Sequence, residues 1–370
     1  MGNGAVSGSP SAWRAKVKSW SREGAQIRRS RGTRSRSSGI IRALDLFSGA
    51  GGCSLGARQA GVRIVGAVDT WDLAYETYRA NFEGVKVYRE RCEALSPRAV
   101  RREIGPIHLL IASPECTSHT CAKGNGRRSE RSRETAMQVI RFARVLRPRW
   151  IVVENVIHMR KWRRYRAWLG KLEALGYRHR EQILNAAEFG VPQSRKRLFI
   201  LFDREGPPPQ VTPKRQRKPV PARRVIEANG AYPYSRLDLK TRARATLERA
   251  QRAVEALRRR QPFLLVYYGS DGAGGWQRVD APLRTVTTLD RFAYVRPRKR
   301  GYEMRMLQVP ELQRAMGFPK RFRLKHGARR DKIKLLGNAV CPPVMKAIVA
   351  ALMRSRTDAR RSRGAKNGIQ

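Results

Sequence analysis

Acidic residues are scarce: 29 Asp and Glu stand against 79 Lys and Arg in 370 residues, a formal net charge of +50. A compact chain carrying that excess repels itself, so the composition argues for a polyanionic partner. Nucleic acid leads, because Arg and Lys neutralise phosphates; an anionic membrane surface fits less well, since no basic amphipathic helix stands out. An arginine-favouring codon bias is the reading that needs no partner. Long apolar runs are missing too. None approaches the roughly 20 residues of a membrane span, and the N-terminus lacks the apolar core of a secretory signal. Its Arg/Ser-rich, acid-poor texture leaves an organelle transit peptide as a minor reading. Cysteine is sparse: Cys53, Cys92, Cys116, Cys121 and Cys341 are odd in number and have no framework spacing. That argues against a disulfide scaffold and suits a reducing cytoplasm.

What is present is organised. Residues 1–40 are rich in Ser, Arg and Gly with Glu23 their only acid, a basic arm expected to be disordered, and residues 355–370 repeat the theme. From Ile41 apolar strands alternate with helical spacings: "IIRALDLFSGAGGCSLGARQAG", "VRIVGAVD", "WDLAYETYRANF", "IHLLIAS", "SRETAMQVIRFARVLRP", "RWIVVENV", "YRAWLGKLEALG" and "KRLFILFD". That alternation predicts an α/β domain over 41–205 with a doubly wound parallel sheet, whose ligands sit beyond the carboxyl ends of the strands. Residues 206–295 break the pattern. A Pro-rich basic stretch, a charged helix "TRARATLERAQRAVEALRRRQ" and two strand-like runs, "PFLLVYYGSDGAGGW" and "APLRTVTTLDRFAYV", read as a smaller inserted region. Residues 296–354 return to helical texture and are expected to pack back on the first domain.

Several stretches carry chemistry. "DLFSGAGG", Asp45 to Gly52, follows a strand and opens a helix, so its glycines let the backbone approach a ligand. Nucleotide and S-adenosylmethionine folds share such a turn, and the absence of a Lys-Ser/Thr ending argues against a P-loop. Asp69 ends the next strand, placed either to accept from ribose hydroxyls or to cap the following helix. "VVENV" puts Glu154 at the end of a Val-rich strand. A poorly solvated carboxyl there can act as an acid near neutrality, or be an ion-paired acid near Arg160 and Lys161. In "QSRKRLFIL", Arg195 and Arg197 lie two apart and so point to one face, as a clamp for a carbonyl or phosphate or as a solvated basic edge. "IASPECTSHTCAKG", Ile111 to Gly124, holds Cys116 and Cys121 five apart. One could be a nucleophile, the two a metal or redox pair, or both plain buried thiols. With only His119 nearby, a zinc site is not expected, nor any other metal.

In order, these stretches resemble the DNA cytosine-5 methyltransferase family. "DLFSGAGG" is similar to its cofactor loop, Pro114-Glu115-Cys116 to its Pro-Pro-Cys nucleophile loop, and "ENV" and "QSRKR" to its next two motifs. "APLRTVTT", "RAMGFP" and "GNAV" at 337–340 resemble its later ones, so the likeness runs from about Ala43 to Leu352. It implies an S-adenosylmethionine-dependent, Rossmann-like fold with residues 206–295 as target-recognition region. It also implies a mechanism: Cys116 adds to carbon 6 of a flipped-out cytosine, Glu154 serves ring nitrogen 3, and Arg195 and Arg197 hold the base carbonyl and the loop. Phe47, Gly49, Gly52, Asp69, Asn338 and Ala339 match the family's cofactor contacts. Three positions depart from the pattern: Glu115 replaces the second Pro, Thr117 a Gln, and His108 an Asp opening the preceding strand. Glu90 is the candidate for the acidic contact after the third strand. The expectation is a monomer acting on double-stranded DNA, cytoplasmic, bacterial or phage-encoded and associated with the nucleoid. A restriction-modification role is expected as well. The alternatives are a catalytically impaired DNA-binding protein on the same scaffold, which the Glu115 departure would favour, and an RNA cytosine methyltransferase.

Overall fold

The computed structural model describes residues 39–115, 135–213, 218–238, 241–258, 260–267 and 274–366. From Ile40 onward these form one unit carrying two sheets. The first runs β3 (Lys86–Tyr88), β2 (Arg63–Val68), β1 (Arg42–Leu46), β4 (Leu109–Ala112), β5 (Trp150–Asn155), β7 (Lys196–Asp203), β6 (Arg178–Asn185). Every residue of β4 and β5 is buried, as expected of central strands covered on both faces. The order reverses between β1 and β4, where Leu46 pairs with both Val68 and Ala112, so a crevice opens beyond these strand ends.

The sheet is mixed, which corrects the all-parallel expectation. β7 pairs antiparallel with β5 and with β6. Ten residues, 186–195, return the chain from β6 to β7, too few for the helical crossover that a parallel pair requires. The sequence reading passed over β6 and β3. Both are edge strands, one mostly polar with an exposed and half-buried face, the other three residues long, so neither carries the apolar signature of a central strand.

Helices cover both faces. α1 (Gly52–Gln59), α2 (Asp72–Asn81), α8 (Arg329–Asn338) and α9 (Pro342–Lys366) pack on one side, burying Ala57, Tyr78, Leu335 and Val344 together. α3 (Pro97–Ile104), α4 (Met137–Leu146) and α5 (Tyr165–Glu173) pack on the other around Ile104, Phe142 and Trp168. The close fit of α1 on the C-terminal turn depends on a missing side chain: a Cβ on Gly52 would stand 2.1 Å from the Val340 carbonyl oxygen. One segment, Arg329–Ser355, is long and apolar enough by composition to cross a membrane, but 72% of its apolar window is buried within the protein.

The second sheet is antiparallel, in the order β10 (Trp276–Arg278), β9 (Phe263–Val266), β11 (Phe292–Pro297), β12 (Tyr302–Met306), β8 (Ser235–Arg236). The charged helix α6 (Arg244–Leu257) buries Ala250, Ala253 and Leu257 against it. This sheet continues to Met306, beyond Val295, because β12 hairpins back onto β11. Of "APLRTVTT", only Leu283 makes a bridge, to Gln193. The Val286 amide goes instead to the Gln193 side chain at 2.8 Å, which makes this stretch a strap across the first domain and not a sheet strand. Arg305 of β12 and Glu311 form a buried bidentate pair (2.7 and 2.8 Å), and Glu311 also accepts from the amides of Gln308 and Glu227, fixing α7 (Val309–Ala315) to β12 and to the chain at Glu227.

One buried acid makes stability depend on pH. Asp45 on β1 accepts from Ser54 Oγ at 2.6 Å, and Ser54 in turn accepts from the Tyr78 hydroxyl. Burial pushes the Asp45 carboxyl up to about 7, opposed by the Ser54 hydrogen bond and reinforced by Asp69. A carboxyl with a raised folded-state pKa favours folding while neutral, so its contribution is complete below about 3.8 and is lost as pH rises through about 7. Asp45→Asn, neutral throughout, should therefore gain in Tm relative to the parent between about pH 5 and about pH 8. Parallel melts across that range check this, and a Tm difference that does not change with pH contradicts it.

Candidate active site

The crevice begins where β1 ends. Phe47 takes φ 59°, in the left-handed region that a side chain disfavours by about 1 kcal/mol, and Gly49 and Gly51 follow at 51° and 82°. The turn is closed by the Gly51 amide donating to the Ser48 carbonyl (2.8 Å) and the Ser48 amide to Val68 (3.0 Å). Asp69 then bridges two elements. One carboxylate oxygen accepts from the Gly49 amide at 2.7 Å, the other from Trp71 at 2.9 Å at the head of α2. The Trp71 contact is a turn leading into α2, whose N-cap is Trp71 itself, so Asp69 joins the glycine loop to that turn. Burial raises the Asp69 pKa, with the amide bonds pulling the other way.

Glu154 ends β5 buried in the same crevice, with Arg197 Nε 3.4 Å from its Oε1. Burial raises its pKa; Arg197 and then Arg195 counter that, as does a hydrogen bond from Ser113. The two arginines differ in what they hold. Arg195 is buried and donates to the carbonyls of Val286 (2.9 Å), Gly337 (2.8 Å) and Ala339 (3.1 Å), so its guanidinium clamps backbone. Arg197 faces the carboxylate. Beside them Asn155 donates to the Pro114 carbonyl at 3.0 Å, and Thr135 Oγ1 accepts from the Glu115 amide at 3.2 Å, which fixes the chain entering the cysteine loop.

These parts surround a cavity of about 350 Å³, at the small end of the roughly 300–1,000 Å³ typical of ligand sites. Phe47, Gly49, Gly52 and Asp69 line it from one side, and Glu154, Arg195 and Arg197 from another. Asn338 and Ala339 close it from the end of α8. Cys116, Cys121, Thr117 and His119 lie outside the described residues. Glu90 lines the cavity, and so do residues the sequence reading missed: Trp71, Cys53 and Lys334. Lys334 Nζ stands 4.9 Å over the Trp71 ring. An aromatic two residues past a strand-end carboxylate was the available signal for Trp71, whereas nothing local marked Lys334. His108 sits at the far end of β4 and accepts from the Arg42 amide at 3.1 Å, away from the cavity.

The cavity suits a nucleoside-bearing cofactor. A Cβ on Gly49 would meet nothing within 4 Å, so that backbone is open to a ligand, and an aromatic ring and a carboxylate flank it. Residues 41–354 match the model of C-5 cytosine-specific DNA methylases. The chain belongs to that family. Among similar proteins, the type II methyltransferase M.HgiDI of Herpetosiphon aurantiacus is 33% identical over 169 residues, 45% of this chain and 53% of the relative. M1.HphI of Haemophilus parahaemolyticus is 32% identical over 170 residues, 44% and 46% of the two chains. The matched region is thus about half the length of these relatives. The solved Entamoeba histolytica methyltransferase EhMeth shares the fold, with a TM-score of 0.63 at 16% identity over 85% of this chain and 98% of its own. The family motifs lie far apart in this sequence, and Arg195 ties three of them together. Arg195→Met should cost about 3 kcal/mol by leaving three buried carbonyls unpaired, and Arg197→Met less than half of that. Urea unfolding of both variants measures the difference; equal losses contradict the clamp.

Proposed function

We propose that the protein methylates carbon 5 of a cytosine flipped out of double-stranded DNA within a short recognition sequence. The observation that carries this reading is one cavity shared by the Gly49–Asp69 loop, the pair of buried Glu154 and half-buried Arg197, and the strand end that leads directly into Cys116. Phe47, Gly49, Gly52, Asp69, Asn338 and Ala339 hold S-adenosylmethionine, which supplies an electrophilic methyl group when bound. The target base leaves the duplex at a cost of a few kcal/mol, since its ring is out of reach when stacked. The Cys116 thiolate adds to carbon 6, and the electron pair of the 5,6 double bond moves toward ring nitrogen 3. Glu154, whose carboxyl burial makes harder to ionise, donates a proton there, which leaves carbon 5 enamine-like and nucleophilic. After methyl transfer a water removes the carbon 5 proton, the 5,6 double bond re-forms as the thiolate leaves, and ring nitrogen 3 returns its proton to Glu154. Arg197 holds Glu154 and the base carbonyl, while Arg195 keeps the loop geometry.

The second sheet with α6, within the expected 206–295 region and its continuation, reads the DNA sequence. The flanking arginines position phosphates, so binding weakens steeply with salt. The enzyme acts as a cytoplasmic monomer, in a restriction-modification setting.

Incubation with radiolabelled S-adenosylmethionine and mixed-sequence DNA, followed by bisulfite sequencing, tests this. Label should enter DNA at one short motif, vanish in Cys116→Ser, persist in Cys121→Ser, and fall about 10²–10⁴-fold in Glu154→Gln. Tight DNA binding with no label transfer by the parent protein overturns the reading.

A further inference from the structure

The cavity is acidic in a basic chain: Asp69, Glu90, Glu93, Glu115 and Glu154 line it beside Arg91, Arg195, Arg197 and Lys334. Three of those carboxylates are engaged. Both oxygens of Asp69 accept backbone amides, Glu154 faces Arg197, and Glu93 lies 3.6 Å from Arg91. Glu90 and Glu115 remain, both exposed, and of the two Glu115 sits at the end of the chain leaving β4. Its backbone is held on both sides, by Thr135 at its own amide and by Asn155 at the preceding carbonyl. Its side chain stands exposed in the cavity and makes no ion pair with a described residue. Its charge reaches Asp69, adding to the effect of burial there, whereas Glu154 responds to Arg197 and Arg195. The carboxylate therefore lies within electrostatic reach of the Gly49–Asp69 end of the cavity.

We infer that Glu115 is a specificity-determining residue for the cofactor, making the cavity hold a cationic sulfonium more tightly than the neutral thioether left after methyl transfer. This rests on the reading that the cavity takes S-adenosylmethionine. The two molecules share the nucleoside and the amino-acid end, so contacts from Asp69, Trp71 and Asn338 act on both alike. They differ by a methyl group and one positive charge. A carboxylate on a held backbone in a partly enclosed cavity acts on that charge, and at an effective dielectric between protein and water it favours the sulfonium by about five-fold. The consequence is release of the spent cofactor, which otherwise competes for the same site.

Calorimetric titration of the full chain tests the inference without turnover. The parent, Glu115→Gln and Glu115→Asp are each titrated with three ligands: S-adenosylmethionine, S-adenosylhomocysteine, and the analogue carrying a protonated amine in place of the methylsulfonium. Glu115→Gln should weaken both cationic ligands about five-fold and leave the thioether within about two-fold, while Glu115→Asp keeps the parent's preference. Equal weakening of all three ligands, or no change in any, overturns the inference. If the parent binds none of them, the cofactor reading falls and this inference with it, a result distinct from an unchanged preference. An unaltered melting curve for Glu115→Gln, expected at an exposed position, assigns any change to the cavity.

Discussion

The buried guanidinium of Arg195 is the contact on which the cleft depends. Its donors take the carbonyls of Val286, Gly337 and Ala339, residues 91, 142 and 144 positions further along the chain. A buried guanidinium must satisfy its hydrogen bonds, so this position admits few arrangements of the strap and of the turn after α8. The turn so fixed lies against α1, where Gly52 admits the Val340 carbonyl. Asn338 and Ala339 then face Phe47 and Asp69 across the cavity, and a site is built from segments nearly 300 residues apart. Gln193, two residues earlier, extends the clamp by accepting from Val286 and donating to the Ala315 carbonyl.

Electrostatics divides the molecule into two environments. Outside, a large excess of basic residues, most of the chain's 79, gives a field suited to a polyanion. Inside the crevice, acids concentrate and are desolvated, which raises the pKa values of Asp69 and Glu154. Arg197 opposes the shift of Glu154, so burial and ion pairing act on that carboxyl in opposite directions. The same burial raises Asp45 one layer below, so the cleft rests on groups whose charge depends on their confinement.

Much of this was legible because β1, its glycine turn and α1 form a local unit, and because Asp69 and Glu154 end apolar strands. The signals were hydrophobic runs and their boundaries. The direction of β7 was not legible, since antiparallel pairing follows from the length of the 186–195 connection and from the polar edge strand β6 beside it. The two-residue spacing put Arg195 and Arg197 on one face, and both line the cavity. It could not tell that one would bind backbone and the other a carboxylate, because the acceptors come from distant segments. "APLRTVTT" looked like a strand for the same reason: its alternation is real, but its partners are the Gln193 side chain and neighbouring loop backbone. Lys334 over Trp71 joins two helices that nothing in the sequence pairs.

The central claim is that this cleft delivers a cysteine thiolate to a cytosine ring, with Cys116 as the sulfur. A 5-fluorocytosine target blocks the final proton removal, so the enzyme should remain covalently attached to DNA once S-adenosylmethionine is present. Peptide mass mapping of that complex is the most direct measurement. The account predicts one nucleotide adduct, on the peptide containing Cys116 and at that residue. An adduct at Cys121 or Cys53, or turnover of unmodified DNA with no adduct formed, would contradict it.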